Sequence, residues 1–260
     1  MNCRRPAAIS SSSRSPKSKH CALRRFNRRR TLGYNTVACE IAAPTRFRRG
    51  LHAGLRRSPI QREPIAGVVL AGGRSTRMGA EKALLPLAGR PLVAHVVERL
   101  RPQVAELFIN ANGDAARFGG FDCVVVADGA GADLAGPLRG VSAAIAFARR
   151  RGFSLLATAP CDAPFLPLDL VARLVAAMAA SGAPVAVAES PRGLEPMFAL
   201  WRDRAAREIA AEIARGDASP RRVMARLGAA RVFFAPADAD DAFANLNSPE
   251  DFAAAKARLG

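Results

Sequence analysis

From Ile65 onward the chain alternates short apolar runs with amphipathic helical patterns, and this alternation restricts the folds that it can adopt. Apolar runs of this length predict strands that are buried on both faces, as in parallel sheets. The runs lie at 65–70, 107–109, 123–126, 154–158, 185–187 and 232–234, and the helical patterns at about 91–101, 138–151, 169–180, 202–215, 220–227 and from 249. Ser248, with Asp251 three residues later, is the expected N-cap of the last helix. The alternation predicts an α/β fold, an open and mostly parallel sheet with helices on both faces.

The first 64 residues differ from the rest of the chain in charge and composition. They hold 16 Lys and Arg and 2 acidic residues, whereas residues 65–260 hold 23 basic and 20 acidic residues. The net charge of +17 therefore belongs mainly to this leader, and the near-neutral body argues against a nucleic-acid-binding domain. A segment rich in Ser, Arg and Pro without apolar periodicity cannot bury a core, so we expect it to be disordered.

Three interpretations of the leader stay open. Its Arg- and Ser-rich, acid-poor composition is typical of an organellar transit peptide. Alternatively, Arg24-Arg25 and Arg28-Arg29-Arg30 could form a nucleic-acid-binding arm. The third interpretation is an overlong reading frame whose true start, at a codon other than Met, lies near residue 60.

The cysteines and the hydropathy pattern predict a cytoplasmic protein with reduced thiols. The five cysteines include no Cys-x-x-Cys pair, and their spacing suits neither a zinc site nor a disulfide framework. No stretch approaches the roughly 18 apolar residues of a transmembrane helix, so we expect no membrane contact.

The loop from Leu70 to Lys82 has the composition of a phosphate-binding loop. Gly72 and Gly73 follow a buried strand, where glycine lets the backbone approach a ligand and offer amide donors to anionic oxygens. Arg77 and Lys82 add two cations suited to a polyphosphate. The loop matches neither the Walker A pattern nor the dinucleotide fingerprint. A tight turn with solvated charges is the alternative, and the two cations at this spacing favour phosphate binding.

Polar residues also follow the other predicted strands, where ligands bind in open α/β sheets. Asn110 and Asn112 follow the second strand, Asp128 the third, and Asp162 the fourth. Asp162 lies between two prolines and could hold Mg²⁺, which usually takes one or two carboxylates plus substrate phosphates. Taken alone, Asp162 could equally cap a helix, Asp128 could form an Asx turn, and the asparagines could close turns.

His95 is predicted to be a packing or surface residue, because a lone His within an apolar helix is seldom catalytic. No Ser-His-Asp or Cys-His constellation is visible in the sequence. Positioning and charge are therefore the expected means of catalysis.

Residues 70–82 resemble the signature Leu-Ala-Gly-Gly-x-Ser-x-Arg-Met-Gly-x-x-Lys of the molybdenum cofactor guanylyltransferases. The resemblance spans residues 65–260, and its further motifs occur in the expected order. These motifs are Asn110-Ala111-Asn112, Asp128, Gly136-Pro137-Leu138-Arg139-Gly140, Pro160-Cys161-Asp162-Ala163-Pro164 and Asn245-Leu246-Asn247-Ser248-Pro249-Glu250. The resemblance implies one nucleotidyltransferase domain at 65–260, with the Rossmann-like fold of the nucleotide-diphospho-sugar transferases. It also implies transfer of GMP from GTP to Mo-molybdopterin, with release of pyrophosphate.

The same resemblance implies a role for each motif residue. The implied roles are nucleotide binding for Leu70, Ala71, Gly72, Gly73, Lys82, Asn110, Asp128 and Asp162, binding of Mg²⁺ for Asp162, and the pterin side or activity for Gly136, Gly140, Asn245 and Asn247. Arg77, Lys82 and Asp162 are the candidate catalytic residues. Transient partners would be proteins that deliver molybdopterin and molybdoenzymes that receive the cofactor.

Other functions stay open at this point. Molybdopterin cytidylyltransferases are similar but tend to carry Leu-Ala-Ala-Gly in the first loop, so Gly72 favours GTP over CTP. Sugar-1-phosphate nucleotidyltransferases share the loop but are usually longer. A nucleic-acid-associated protein using the leader, or a cofactor chaperone, would need no chemistry. The near-neutral body argues against the former, and the set of cations with Asp162 argues against the latter.

Overall fold

The computed structural model describes residues 63–72, 81–128, 136–216, 219–235 and 242–260. The predictions for the leader up to residue 62, and for Gly73 and Arg77, lie outside the described residues. The strands are β1 (Ile65–Leu70), β2 (Pro86–Leu87), β3 (Arg90–Pro91), β4 (Glu106–Asn110), β5 (Val124–Val126), β6 (Leu155–Pro160), β7 (Val185–Ser190), β8 (Gly193–Arg202) and β9 (Ala230–Phe233). The α-helices are α1 (Leu92–Leu100), α2 (Pro137–Arg150), α3 (Leu170–Ser181), α4 (Ala206–Ala214), α5 (Pro220–Arg226) and α6 (Pro249–Leu259). Short 3-10 helices lie at Lys82–Leu84, Arg101–Gln103, Ala115–Phe121 and Asp203–Ala205.

Seven strands form one mostly parallel sheet in the order β5-β4-β1-β6-β8-β7-β9, which confirms the predicted fold class. The strand β1 lies near the centre and pairs in parallel with β4 and β6, while β4 pairs in parallel with β5 and β7 with β9. The strand β8 is antiparallel to both β6 and β7. The carboxyl ends of β1, β4, β5 and β6 therefore meet at one edge of the sheet.

Helices cover both faces of the sheet. Successive side chains of a strand point to opposite faces, so neighbouring apolar residues of one strand pack against different helices. Val69 of β1 packs in a cluster with α1 and α3, which contribute Val96 and Leu174. Its neighbour Val68 packs in a second cluster with α2, α4 and α5, together with Trp201 of β8. Both strand residues are fully buried, as expected for a strand in the middle of a three-layer fold.

The strand β8 is absent from the strands that the sequence predicts, and Pro196 is the physical reason. Proline cannot donate to a sheet ladder, so it argues against an interior strand. The structure accommodates it at a β-bulge: Val187 pairs with Ala199, whereas the next residue, Ala188, pairs with Glu195. Beyond the bulge, β8 is buried, and the Trp201 indole Nε1 donates to the Thr158 hydroxyl over 3.2 Å.

His95 has the packing role that the sequence predicts. It is buried in α1, and its Nε2 lies 3.0 Å from the carbonyl oxygen of Leu87 in β2. This contact joins α1 to the small β2–β3 hairpin. Across the described ranges, no helix has the length and apolar character needed to cross a membrane.

Candidate active site

At the carboxyl ends of β1, β4, β5 and β6, backbone hydrogen bonds continue into the loops that follow the strands. The Ala71 amide donates to the Asn110 carbonyl over 2.8 Å, and the Ala111 amide to the Val126 carbonyl over 3.1 Å. On the other side of β1, the Cys161 amide donates to the Leu70 carbonyl over 3.0 Å. These bonds hold the first residues of three loops in register with β1, so their side chains start from fixed positions.

Lys82, Asp162 and Asn247 form a cluster, here called the lysine cluster. Lys82 begins the 3-10 helix that follows the glycine loop, and its Nζ lies 2.5 Å from Asp162 Oδ2 and 2.7 Å from Asn247 Oδ1. The side chains of Lys82 and Asp162 are 10% and 18% exposed. The ion pair neutralises two charges that are mostly shielded from water, and the amide oxygen of Asn247 gives the ammonium a second acceptor.

The segment that carries Asn247 is fixed at both of its sides. The Leu246 amide donates to the Asp162 carbonyl over 2.9 Å, and the Leu246 side chain is buried. The Asp251 carboxylate accepts from the amides of Asn247 at 2.7 Å and Ser248 at 2.8 Å, and these bonds lower its pKa. The Ser248 hydroxyl in turn accepts from the Asp251 amide, which completes the predicted capping box of α6.

Asn110, Asn112 and Asp128 form a second cluster, here called the asparagine cluster. The Asn110 Nδ2 donates to Asp128 Oδ1 and to the Val126 carbonyl, each over 2.9 Å. The Asn112 Nδ2 donates to Asp128 Oδ2 over 2.9 Å, and its Oδ1 accepts from the Asp128 amide at the same distance. Two amides thus orient one carboxylate at the carboxyl ends of β4 and β5.

Two glycines border the asparagine cluster. A Cβ atom added to Gly72 would lie 3.1 Å from Asn110 Oδ1, and one added to Gly140 would lie 2.2 Å from the same atom. Gly140 is in the first turn of α2, and Gly136 is the N-cap of that helix, with Pro137 at its first position. The first turn of α2 therefore approaches the asparagine cluster closely.

Five of the predicted site residues lie in these two clusters, namely Lys82, Asp162, Asn247, Asn110 and Asp128. Leu70 ends β1 and Ala71 follows it, with Gly72 beside Asn110. Asn245 is exposed and contributes a backbone carbonyl, which accepts from Asn247 Nδ2 over 3.3 Å.

Sequence reasoning missed Arg117, which links the two clusters' loops. Its guanidinium donates to the Asn112 carbonyl over 2.7 Å and forms an ion pair with Glu81, the residue before Lys82. Arg117 follows a polar loop with no motif around it, so no local signal could have identified it. Cys161, beside Asp162, is buried, and burial with the adjacent carboxylate charge raises its pKa to about 12.

Comparisons with known proteins identify the family of this chain. A family model described as a MobA-like NTP transferase domain matches residues 67–232. A molybdenum cofactor guanylyltransferase of Cereibacter sphaeroides is 47% identical over 194 residues, which is 74% of this chain and 96% of that protein. One from Burkholderia ambifaria (strain MC40-6) is 44% identical over 200 residues, 73% of this chain and 94% of that protein.

Solved structures support the same fold. Molybdopterin-guanine dinucleotide biosynthesis protein A from Archaeoglobus fulgidus aligns with a TM-score of 0.60 at 22% identity, over 75% of this chain and 98% of that one. A CMP:2-keto-3-deoxy-manno-octonic acid synthetase complexed with CTP aligns with a TM-score of 0.55 at 14% identity, over 76% of this chain and 98% of that one. With the family model and the relatives above 40% identity, the conclusion is that this chain belongs to the MobA-like NTP transferase family.

Proposed function

We propose that this protein transfers GMP from GTP to Mo-molybdopterin and releases pyrophosphate. The observation that carries the proposal is the meeting of Lys82 with Asp162 and Asn247, residues of three motifs, at one edge of the sheet. Relatives named molybdenum cofactor guanylyltransferase, at 44–47% identity, support guanine as the base and the pterin cofactor as the acceptor. The proposed site of action is the cytoplasm, with transient contacts to proteins that deliver molybdopterin and to recipient molybdoenzymes.

The chemistry of this transfer suits a site made of charges and amides. The terminal phosphate of the pterin attacks the α-phosphorus of GTP, and the bond from that phosphorus to the pyrophosphate oxygen breaks. An ionised phosphate needs no general base, so the protein has to align two anions and offset their charge. Lys82 performs the second task on the phosphates of GTP, together with Arg77 of the glycine loop.

Asp162 fits a role as ligand of Mg²⁺. Within the described ranges no group of three or more His, Cys, Asp or Glu side chains is arranged to hold a metal. A single partly exposed carboxylate beside Lys82 nevertheless suits Mg²⁺, which commonly combines one or two carboxylates with substrate phosphates. When bound, the ion would withdraw charge from the phosphate oxygens.

Lys82 and Asp162 must exchange partners when the substrates bind. The Lys82 ammonium lies 2.5 Å from Asp162 Oδ2. The phosphates of a bound nucleotide would offer the ammonium other anionic partners, and the Asp162 carboxylate would then be able to hold Mg²⁺. The ion pair thus provides one charge suited to the nucleotide and one suited to the metal.

The nucleotide and the acceptor are assigned to different parts of the site. Leu70, Ala71, Gly72 and Gly73, with the asparagine cluster, bind the nucleotide. Gly136, Gly140, Asn245 and Asn247 face the acceptor, and Asn247 also accepts a hydrogen bond from Lys82.

The decisive experiment is a transfer assay with purified protein, Mo-molybdopterin and Mg²⁺, in which GTP and CTP are compared. We expect pyrophosphate release and a guanine dinucleotide product with GTP, and neither with CTP. Omission of the acceptor is the control for simple hydrolysis. Preferential formation of a cytosine dinucleotide would identify a cytidylyltransferase instead, and binding of pterin without any transfer would identify a carrier.

A further inference from the structure

The amide of Asn110 has only one possible orientation in the structure. Its Nδ2 donates to both the Val126 carbonyl and Asp128 Oδ1, each over 2.9 Å. Both partners are acceptors, so the amide cannot be turned over without losing two hydrogen bonds. The residue is buried, with 2% of its surface exposed. Its Oδ1 therefore points away from Asp128, toward the first turn of α2.

The space around that oxygen exists because two neighbouring residues lack side chains. A Cβ on Gly140 would lie 2.2 Å from Asn110 Oδ1 and 3.1 Å from its Cγ, and in ordinary contact, at 3.4 Å, with the Leu70 side chain. A Cβ on Gly72 would lie 3.1 Å from the same oxygen. At Gly140 the overlap is too large for any small adjustment, because the amide that would have to move is held by its two hydrogen bonds.

Backbone conformation does not explain a glycine at position 140. Gly140 lies within α2, in helical backbone that any residue adopts, and glycine is a poor helix former. An alanine here would ordinarily favour the helix. The close approach to Asn110 is the feature that requires glycine.

We propose that Gly140, with Gly72, is a positioning residue for the nucleotide: the two glycines leave the space that the Asn110 amide needs, and that amide orients the Asp128 carboxylate. This inference rests on the proposed function and revises one part of it, because the family resemblance implies a pterin-side or activity role for Gly140. It also gives Gly72 a physical role, since a methyl group there would press on the same amide oxygen that Gly140 accommodates.

The test is a double-mutant cycle with Gly140→Ala, Asn110→Ala and the double variant. The dissociation constant of GTP with Mg²⁺ is measured by calorimetry, and the KM for Mo-molybdopterin by the transfer assay. Gly120→Ala is the matched control, because its Cβ meets nothing within 4 Å and the residue is exposed.

We expect Gly140→Ala to weaken GTP binding about tenfold or more through loss of the Asn110–Asp128 hydrogen bond. The control should bind like the wild type, and the KM for the acceptor should stay within about twofold in all variants. The double variant should bind GTP no worse than Asn110→Ala alone, because the amide that the methyl group displaces is gone. If Gly140→Ala does not fold, the double variant should recover a folded protein.

Several outcomes would overturn the inference. One is a double variant whose loss of GTP affinity is the product of the two single losses. Another is a raised KM for the acceptor with unchanged GTP binding, and a third is a double variant that remains unfolded while Asn110→Ala folds. Failure of the proposed function is separable, because a wild type that binds GTP without transferring GMP refutes the activity while the GTP affinities still decide the role of Gly140.

Discussion

Lys82 is the residue at which the motifs of this chain meet. Its ammonium compensates Asp162 and is itself held by Asn247, in surroundings that leave only a tenth of its side chain exposed. Removing one partner of a shielded ion pair leaves the other charge uncompensated. If Lys82 is removed, a metal cation can take its place beside Asp162. The affinity for that cation can be measured without any catalytic turnover.

We expect Lys82→Met to reduce GMP transfer by roughly 100-fold or more, as is typical when a group that stabilises transition-state charge is lost. The same variant should bind Mn²⁺, used as a paramagnetic substitute for Mg²⁺, more tightly in the absence of GTP, because Asp162 has lost its competing cation. Electron paramagnetic resonance of free Mn²⁺ measures this affinity. Lys256→Met, at an exposed position of α6, is the matched control. Unchanged Mn²⁺ affinity in Lys82→Met would refute the exchange of partners.

Cys161 provides a pH-dependent prediction at the same scale. Burial, reinforced by the neighbouring Asp162 charge, raises the pKa of its thiol from 9.0 to about 12. The folded state thus holds the proton more tightly, so this contribution to stability is complete below pH 9 and is lost as the pH rises from 9 toward 12.

We expect the stability difference between the wild type and Cys161→Ala to shrink by on the order of 1 kcal/mol between pH 8 and pH 10 in urea unfolding. The comparison with the variant removes the contribution of other groups that titrate in this range. A difference that stays constant with pH would show that the thiol ionises equally in both states.

Only part of the site could be predicted from individual residues. The rule that ligands bind at strand ends identified Asn110, Asp128 and Asp162, because each follows an apolar run. Nothing local indicates that Asn247 turns back to Lys82, which lies 165 residues earlier, or that Gly140 faces Asn110. Such contacts depend on how α2 and the segment before α6 dock on the sheet, and the family resemblance was the available guide to those residues.

At the scale of secondary structure, the N-terminus of α6 holds the segment that carries Asn247 of the lysine cluster. The capping box joins Ser248 to Asp251, and the Asp251 carboxylate also accepts from the Asn247 amide. The hydrogen bonds from the amides of Asn247 and Ser248 lower the pKa of Asp251 from its ordinary value of 3.8. Their contribution to stability is therefore complete when the pH is well above 3.8, and it is lost as the pH falls below that value and the carboxylate is protonated. We therefore expect this helix start to be the acid-sensitive support of the lysine cluster.

We predict that Ser248→Ala lowers the free energy of unfolding by about 1 kcal/mol, the usual value for a lost N-cap. The measurement is urea denaturation at pH 7. Ser248→Asp keeps a capping oxygen and should stay close to the wild type. Equal stability of the alanine and aspartate variants would mean that the cap adds nothing in this protein.

The strands that the sequence predicts differ in composition and length from those that it does not predict. Apolar runs ending at polar loops predict β1, β4, β5 and β6 to within about two residues. The strands β1, β4 and β6 are buried on both faces, whereas β5 lies at the edge of the sheet and its Val124 is exposed, contrary to the prediction of a buried strand. The strand β8 contains Glu195-Pro196, and only the bulge opposite β7 makes that proline acceptable. The sequence does not predict the β2–β3 hairpin, because strands of two residues are too short to show a periodic pattern. In the structure, Ala88 and Gly89 adopt the positive φ angles of a tight hairpin turn.

At the scale of the whole molecule, most of the excess positive charge precedes the described sheet. The sheet begins at Ile65, and Glu63 is already anchored, since its carboxylate accepts from the Ser154 hydroxyl at 2.6 Å and lies 3.3 Å from the Arg202 guanidinium. Most of the excess positive charge precedes these residues. Folding energy and nucleotide binding should therefore belong to the part of the chain that follows residue 60.

We predict that a chain lacking residues 1–59 keeps the unfolding free energy and GTP affinity of the full chain, while losing most of any salt-sensitive binding to DNA. Urea denaturation, calorimetry with GTP, and DNA binding at several salt concentrations measure these properties. A truncated chain with weakened GTP binding would give the leader a part in the active site.

Lys82 and Asn247 are far apart in the sequence, and this separation determines when the lysine cluster can form during protein synthesis. Ribosomes add about 5 to 20 residues per second, so the 165 residues between Lys82 and Asn247 take roughly 10 to 30 s to synthesise. Throughout that interval the glycine loop already exists, but its lysine lacks the amide that will hold it. The nascent chain consequently acquires its complete lysine cluster only after the segment before α6 has been synthesised, long after the strand β1 has left the ribosome.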